Sequence, residues 1–195
     1  MKLYLIRHGE SAANFEKRFS FFEEPITQKG IDQAKKVGEY LKGIHFDKVY
    51  SSDMERAIAT ARIALPGKEP EQDPMLREIA TGDLAGKPID ACLDQYGLSL
   101  RRDRLIRDFT SYGGENEQAV MARSRVFLAK MEEHADETVA AFTHGGFICA
   151  TLEALFGVNI VTSRTLLCDN GMVAVFECSD ACWKLHSWNA NGMNR

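Results

Sequence analysis

Short continuous apolar runs alternate with stretches in which apolar residues recur at helical spacing, and this alternation carries most of the fold information. Lys2 to Ile6 predicts a buried strand that runs straight into Arg7-His8-Gly9. Thr27 stands at a helix N-cap, with Ile31, Ala34, Val37 and Leu41 on one face behind it. Phe46 to Tyr50 predicts a second short strand. Ser52-Asp53-Met54-Glu55 has the spacing of a capping box and predicts a helix as far as Ile63, with Arg56 near its start. Val120, Ser124, Phe127, Leu128 and Met131 predict an amphipathic helix from Asn116 to His134. Thr138 to Phe142 follows as a strand, and Gly146 to Phe156 as a mostly apolar helix. Met172 to Glu177 and Trp183 to Trp188 read as a hairpin around Ser179-Asp180-Ala181, with both tryptophans as packing residues.

Two stretches break the pattern. Residues 15–25 form a loop rich in Phe and charge, in which Phe19, Phe21 and Phe22 either wall an apolar pocket or pin the loop to the core. From Pro66 to Gly114 prolines, glycines and charges accumulate, which predicts loops with one or two short helices over the sheet edge, and residues 77–113 as a cap. The whole predicts an α/β fold of three layers, α/β/α. Its central sheet is mostly parallel, with one antiparallel hairpin at the edge and a small cap over the C-terminal ends of the strands. At 195 residues, the chain fits one domain spanning 1–195.

Composition narrows the ligands. A formal charge of -4 and a pI near 5.8 argue against general affinity for nucleic acid or membrane, so an anionic ligand must be drawn in by local charge. The five cysteines include no C-x-x-C pair and read as reduced, structural thiols. Residues 1–6 are too short for a signal-peptide core and no run approaches the ~18 apolar residues of a membrane span, so the expected location is the cytoplasm.

Two of the five histidines share one setting: an apolar run, a polar residue, His, then Gly, in Leu5-Ile6-Arg7-His8-Gly9 and Ala141-Phe142-Thr143-His144-Gly145. In an α/β fold both then sit at C-terminal strand ends, where such folds keep their chemistry, and two such imidazoles can face one pocket. A neutral imidazole is a competent nucleophile toward phosphorus if its other nitrogen is fixed as a donor, a task the Gly9-Glu10 turn can perform through a carbonyl. Arg7 offers a planar fork for phosphate oxygens, and Gly9 lets backbone N–H groups approach the same anion. His144 stands between a strand and a helix start, where the helix N-terminus adds partial positive charge that favours an anion. Each feature has a plainer reading: a strand-end His8 with a surface Arg7, a helix-capping turn at His144, an Arg56 paired with Glu55 or Glu78, and a Glu78 paired with Arg77. Likewise Arg101, Arg102, Arg104 and Arg107 read either as a solvated helix face with Asp103 and Asp108 or as a second anion site.

Leu5-Ile6-Arg7-His8-Gly9-Glu10-Ser11-Ala12-Ala13-Asn14 resembles the R-H-G-[ET]-x-x-x-N signature of the histidine phosphatase superfamily, also called phosphoglycerate-mutase-like. Ile26-Thr27-Gln28-Lys29-Gly30-Ile31-Asp32-Gln33-Ala34 is similar to its L-T-x-x-G-x-x-Q-A helix start, and Ser51-Ser52 through Arg56-Ala57 to Thr60-Ala61 to its S-S-x-x-x-R-A-x-x-T-A segment. Leu76-Arg77-Glu78 with Gly82 and Gly86, Gly113-Gly114-Glu115, and Thr143-His144-Gly145-Gly146 match three further elements in the family's order. Before Gly86, Asp83-Leu84-Ala85 stands where the family often has an aromatic and an acid.

The resemblance implies a phosphohistidine at His8, a phosphoryl group held by Arg7, Asn14, Arg56, His144 and Gly145, and proton transfer by Glu78. It implies a phosphatase of a small phosphorylated metabolite that uses no metal and no cofactor. Phosphoglycerate mutase-type transfer and a non-catalytic phosphate-binding module are the alternatives. Uncatalysed phosphomonoester hydrolysis is slow enough that accelerations up to ~10²¹ are needed, and a general acid supplies only ~10²–10⁴ of that. Positioning and a cradle of cations must therefore supply the rest.

Overall fold

The computed structural model describes residues 1–95, 100–101, 104–105, 108–134, 136–157, 166 and 168–192. Its main sheet is built from β1 (Lys2–Arg7), β2 (Lys48–Ser51), β3 (Glu71–Gln72), β6 (Thr138–Thr143), β7 (Val173–Ser179) and β8 (Cys182–Ser187) in the order β3-β2-β6-β1-β7-β8. The first four strands of that order are parallel, whereas β7 runs antiparallel to β1 and continues into the β7–β8 hairpin. The β1–β6 register sets Arg7 opposite Thr143, so residues 8 and 144 leave two neighbouring strands side by side.

Alternation along the strands feeds two cores, one on each face of the sheet. Leu3, Leu5, Val139 and Ala141 pack with Val120, Phe127, Leu128 and Met131 of α5 (Glu117–Glu132) and with Phe147 and Ile148 of α6 (Gly145–Phe156). Ile6, Ala140 and Phe142 face the other way, toward Val37 and Leu41 of α2 (Gln28–Leu41) and Ala61 and Ala64 of α3 (Glu55–Ala64). The three layers follow from those two faces. Thr27 caps α2 by accepting the Gly30 N–H at 3.1 Å, and Asn116 caps α5 by accepting that of Ala119 at 2.9 Å.

Helix α3 departs from the expected start. It begins at Glu55 with Met54 as an N-cap that makes no side-chain capping bond, so the Ser52–Glu55 box does not form. The Ser52 hydroxyl instead faces His144, a tertiary contact that outweighs the local motif. The second strand also starts later than the pattern indicates, with Phe46 buried just ahead of it.

Between β3 and α5 the chain forms 3₁₀ turns at Pro74–Leu76, Gly82–Leu84 and Thr110–Tyr112, α4 (Ile89–Gln95), and a small ladder of β4 (Leu100–Arg101) with β5 (Arg104–Leu105). Arg101 and Arg104 therefore stand on a two-stranded ladder rather than a helix face, while Arg102 and Arg107 lie outside the described residues. This segment is tied to the Phe-rich loop by main-chain bonds from Phe19 N–H to Lys87 O, Gly86 N–H to Phe19 O and Ile89 N–H to Lys17 O, at 2.9–3.0 Å. Phe19 is buried edge-on against Phe109 and pins the loop, whereas Phe21 and Phe22 remain 51% and 45% exposed. Trp183 and Trp188 pack on the core, and Trp183 also donates to Glu132 at 2.8 Å. No described helix is long and apolar enough to cross a membrane.

Candidate functional site

His8 and His144 meet at the C-terminal ends of β1 and β6, with ring centroids 5.0 Å apart and planes inclined by 60°. They are 3% and 0% exposed. His8 N–H donates to Thr143 O across the strands at 3.0 Å, which fixes the two turns to each other. Nδ1 of His8 lies 2.6 Å from Gly9 O, and since a carbonyl only accepts, this nitrogen carries the proton and Nε2 keeps its lone pair.

Gly9 serves a purpose other than the expected one. Its N–H is taken by Thr60 Oγ1 at 3.0 Å and does not face an anion. A Cβ at Gly9 would come within 2.3 Å of Gly30 O, and one at Gly30 within 2.2 Å of Glu10 O. The two glycines thus allow the turn after β1 to lie directly on the first turn of α2.

Arg56, at the second position of α3, is 1% exposed. Its donors reach Phe21 O at 3.1 Å and Met54 Sδ at 3.2 Å, both uncharged. Arg7 donates from Nη1 to Cys168 O, and its Nε is buried without a hydrogen-bond partner among the described residues. No carboxylate forms an ion pair with either arginine among the described residues, so neither Glu55 nor Glu78 takes the pairing role offered from sequence. Burial pushes the Arg56 guanidinium down to about 10 despite the fields of Glu78 and Glu24. Burial first, then the Arg56 and Arg7 charges, holds His8 well below the usual imidazole range, and the Gly9 hydrogen bond offsets only part of this. The same two causes act on His144, with the His8 field added.

Nε2 of His144 lies 2.9 Å from Ser52 Oγ, and its Nδ1 is buried with no partner among the described residues. Gly145 opens α6 where a Cβ would sit 3.2 Å from Arg7 Nε, so a larger residue there would crowd the guanidinium. Asn14 is the third residue of α1 (Ala12–Glu16) and closes a capping box with Ser11. Its Oδ1 accepts from Ser11 N–H at 3.2 Å and from Asn170 Nδ2 at 3.0 Å. Asn170 also donates to His8 O at 3.2 Å.

Glu78 stands on the segment after the Pro74–Leu76 turn. Its Oε2 accepts the Gly146 N–H at 3.1 Å and Oε1 its neighbour Ile79 N–H at 3.0 Å. Arg77 pairs with Asp53 rather than with Glu78 and lies over the Phe22 ring. A cleft of about 190 Å³ is lined by Asn14, Arg18, Phe19, Ser20, Glu78, Ile79, Thr81, Ile89 and Phe109, so two of the residues singled out from sequence, Asn14 and Glu78, share its wall. Arg18 in that cleft is neutralised by Glu16 and the buried Glu24. No group of three or more His, Cys, Asp or Glu residues with metal-binding placement exists among the described residues.

All seven residues singled out from sequence lie around this one place. Four others escaped notice there: Ser52 and Thr60, which stand inside the S-S-x-x-x-R-A-x-x-T-A segment, and Asn170 and Arg123, which belong to none of the motifs.

A family model described as the histidine phosphatase superfamily, branch 1, matches residues 3–191. The adenosylcobalamin/alpha-ribazole phosphatase of Salmonella typhimurium is 28% identical over 94% of this chain and 88% of its own length. The fructose-2,6-bisphosphatase TIGAR B of Danio rerio is 32% identical over 71% of this chain, a match that spans 58% of that protein. The crystal structure of a phosphoglycerate mutase from Bacillus anthracis superposes with a TM-score of 0.82 at 27% identity, over 98% of this chain and 94% of the other. Because the matched region extends from the first strand to the last and takes in both histidine-bearing turns, this chain belongs to the histidine phosphatase superfamily.

Proposed function

We propose that the chain hydrolyses a small phosphomonoester through a phosphohistidine on His8. One observation carries the reading: the buried Arg56 and the partly buried Arg7, neither of them ion-paired among the described residues, lie beside two buried imidazoles whose pKa values are lowered, one of which has its Nδ1 proton fixed on a carbonyl. Burying a cation costs several kcal/mol unless a counter-charge repays it, and a tetrahedral oxyanion between Arg7 and Arg56 does so.

In this mechanism Nε2 of His8 forms a bond to phosphorus as the bond from phosphorus to the leaving oxygen breaks. The protonated carboxyl of Glu78 gives its proton to that oxygen. The carboxylate then takes a proton from water, whose oxygen attacks phosphorus and breaks the P–N bond, releasing inorganic phosphate and restoring His8 and Glu78. The Ser52 hydroxyl accepts Met54 N–H at 3.3 Å and can donate its own proton to His144 Nε2, which leaves the Nδ1 proton of His144 for a phosphoryl oxygen. Arg7, Arg56, Asn14 and the Gly145 N–H complete the set of donors around the equatorial oxygens.

Hydrolysis of an aryl phosphate in the presence of EDTA tests the proposal, together with acid quenching to trap acid-labile phosphate on the protein. Turnover that survives chelation and vanishes in His8→Ala is expected; full activity in that variant rejects it. Similarity to a phosphoglycerate mutase favours a second reading, transfer between phosphoglycerates. A rate of interconversion of 2- and 3-phosphoglycerate well above hydrolysis, with a bisphosphoglycerate primer, would replace the first reading. Tight vanadate binding with no turnover on any ester would instead mark a binding module.

A further inference from the structure

The segment that carries Glu78 is not part of the sheet. Its carbonyls are gathered by one side chain from α5: Arg123 donates from Nη1 to Met75 O at 2.7 Å and to Arg77 O at 2.6 Å, and from Nη2 to Glu78 O at 3.1 Å. The remaining donors go to Glu115, Nε to Oε1 at 3.0 Å and Nη2 to Oε2 at 3.1 Å. All five N–H groups of the guanidinium are thereby used, in the fork geometry that only arginine has. The Arg123 side chain is 12% exposed.

Glu115 holds the far side of the same segment. Its Oε2 also accepts Ala80 N–H at 2.9 Å, and its own N–H donates to Ala80 O at 2.8 Å. The two glycines before it allow this contact: a Cβ at Gly114 would meet Ala80 O at 2.3 Å, and Gly113 takes φ +73. From the sheet side, Thr143 Oγ1 donates to Leu76 O at 2.6 Å. The backbone around the carboxylate is thus gripped at Met75, Leu76, Arg77, Glu78 and Ala80, with Gly146 N–H aligning its Oε2. A displacement of 1 Å in a reacting group can cost on the order of 10²-fold in rate, so a segment without ladder bonds needs such a grip.

We propose that Arg123, locked by Glu115, is the positioning residue that holds the Glu78 carboxyl over the leaving-group oxygen, and that the Gly113-Gly114-Glu115 turn is part of this brace rather than a substrate contact. The inference rests on the proposed role of Glu78 as proton donor. A brace that only stabilised the fold would lower the rate on every ester alike. One that sets the proton donor matters most when the leaving oxygen is strongly basic and least when it departs as a stable anion.

The test is kcat/KM for an alkyl phosphate against dinitrophenyl phosphate, in the wild type, Glu78→Gln, Arg123→Lys and Glu115→Gln, each checked for a cooperative thermal transition. Glu78→Gln should lose far more on the alkyl ester. Arg123→Lys should lose about 10–100-fold more on the alkyl than on the activated ester, and Glu115→Gln a smaller excess of the same sign. A folded Arg123→Lys that loses equally on both esters, or on neither, overturns the inference. If that variant does not fold, Glu115→Gln decides by the same criterion. If Glu78→Gln itself shows no leaving-group dependence, the role of Glu78 fails instead, and the two failures are told apart.

Discussion

Burial among guanidinium groups decides the protonation state of His8, and that state has a consequence for pH. Its folded-state pKa lies below the unfolded imidazole value of about 6.5, as does that of His144. Below about pH 6.5 the unfolded chain binds protons that the folded one refuses, so stability is full above that point and is lost as pH falls toward the depressed folded values. We expect a lower melting temperature at about pH 5.5 than at about pH 7.5, with the difference reduced in His8→Asn. The nucleophile meanwhile stays neutral, so the acid limb of kcat/KM should lie below the ordinary imidazole range; a limb centred on the free-imidazole value would contradict the buried setting. The histidine pair itself was readable from sequence, because a residue after an apolar run marks a strand end. The Gly9 assignment was not: whether a glycine N–H faces an anion or Thr60 depends on where α3 packs. Arg123 was invisible for the same reason, since its partners are main-chain carbonyls distant in sequence.

At the scale of elements, regular periodicity was a faithful guide wherever one face met the core. All five apolar-face positions foreseen for α5 are buried, and the terminal hairpin turns where expected. The start of α3 and the small ladder at 100–105 were misread, since a tertiary bond from Ser52 and two-residue strands leave no period to detect. The β7–β8 turn carries a further expectation. Asp180 and Ala181 both adopt positive φ, 51° and 56°. That is the backbone of a tight hairpin whose second position ordinarily favours glycine. A left-handed alanine costs roughly 1–2 kcal/mol, so Ala181→Gly should raise stability by about 1 kcal/mol, read as a higher urea midpoint at unchanged slope. A neutral or lower midpoint would show that the turn relaxes without cost.

Across the whole molecule, the site joins segments that are far apart in sequence: β1, α1, α3, the 75–80 segment, the start of α6 and residues 168–170. An anion seated among them should therefore stabilise the entire fold, although the chain's formal charge is -4. At a concentration of 100 times its dissociation constant, orthovanadate should add about 2.7 kcal/mol and raise the melting temperature, and Arg56→Gln should abolish most of the rise. An unmoved transition in the wild type would mean that no such cradle operates. The central position of β1 has one more consequence. Its partners on both sides, β6 and β7, belong to the last third of the sequence. At roughly 5–20 residues per second of synthesis, the Leu-Tyr-Leu-Ile segment waits on the order of ten seconds on the ribosome with both backbone edges open. Chaperones that hold apolar β-strands should therefore engage the nascent chain early and let go only after residue 179 has emerged.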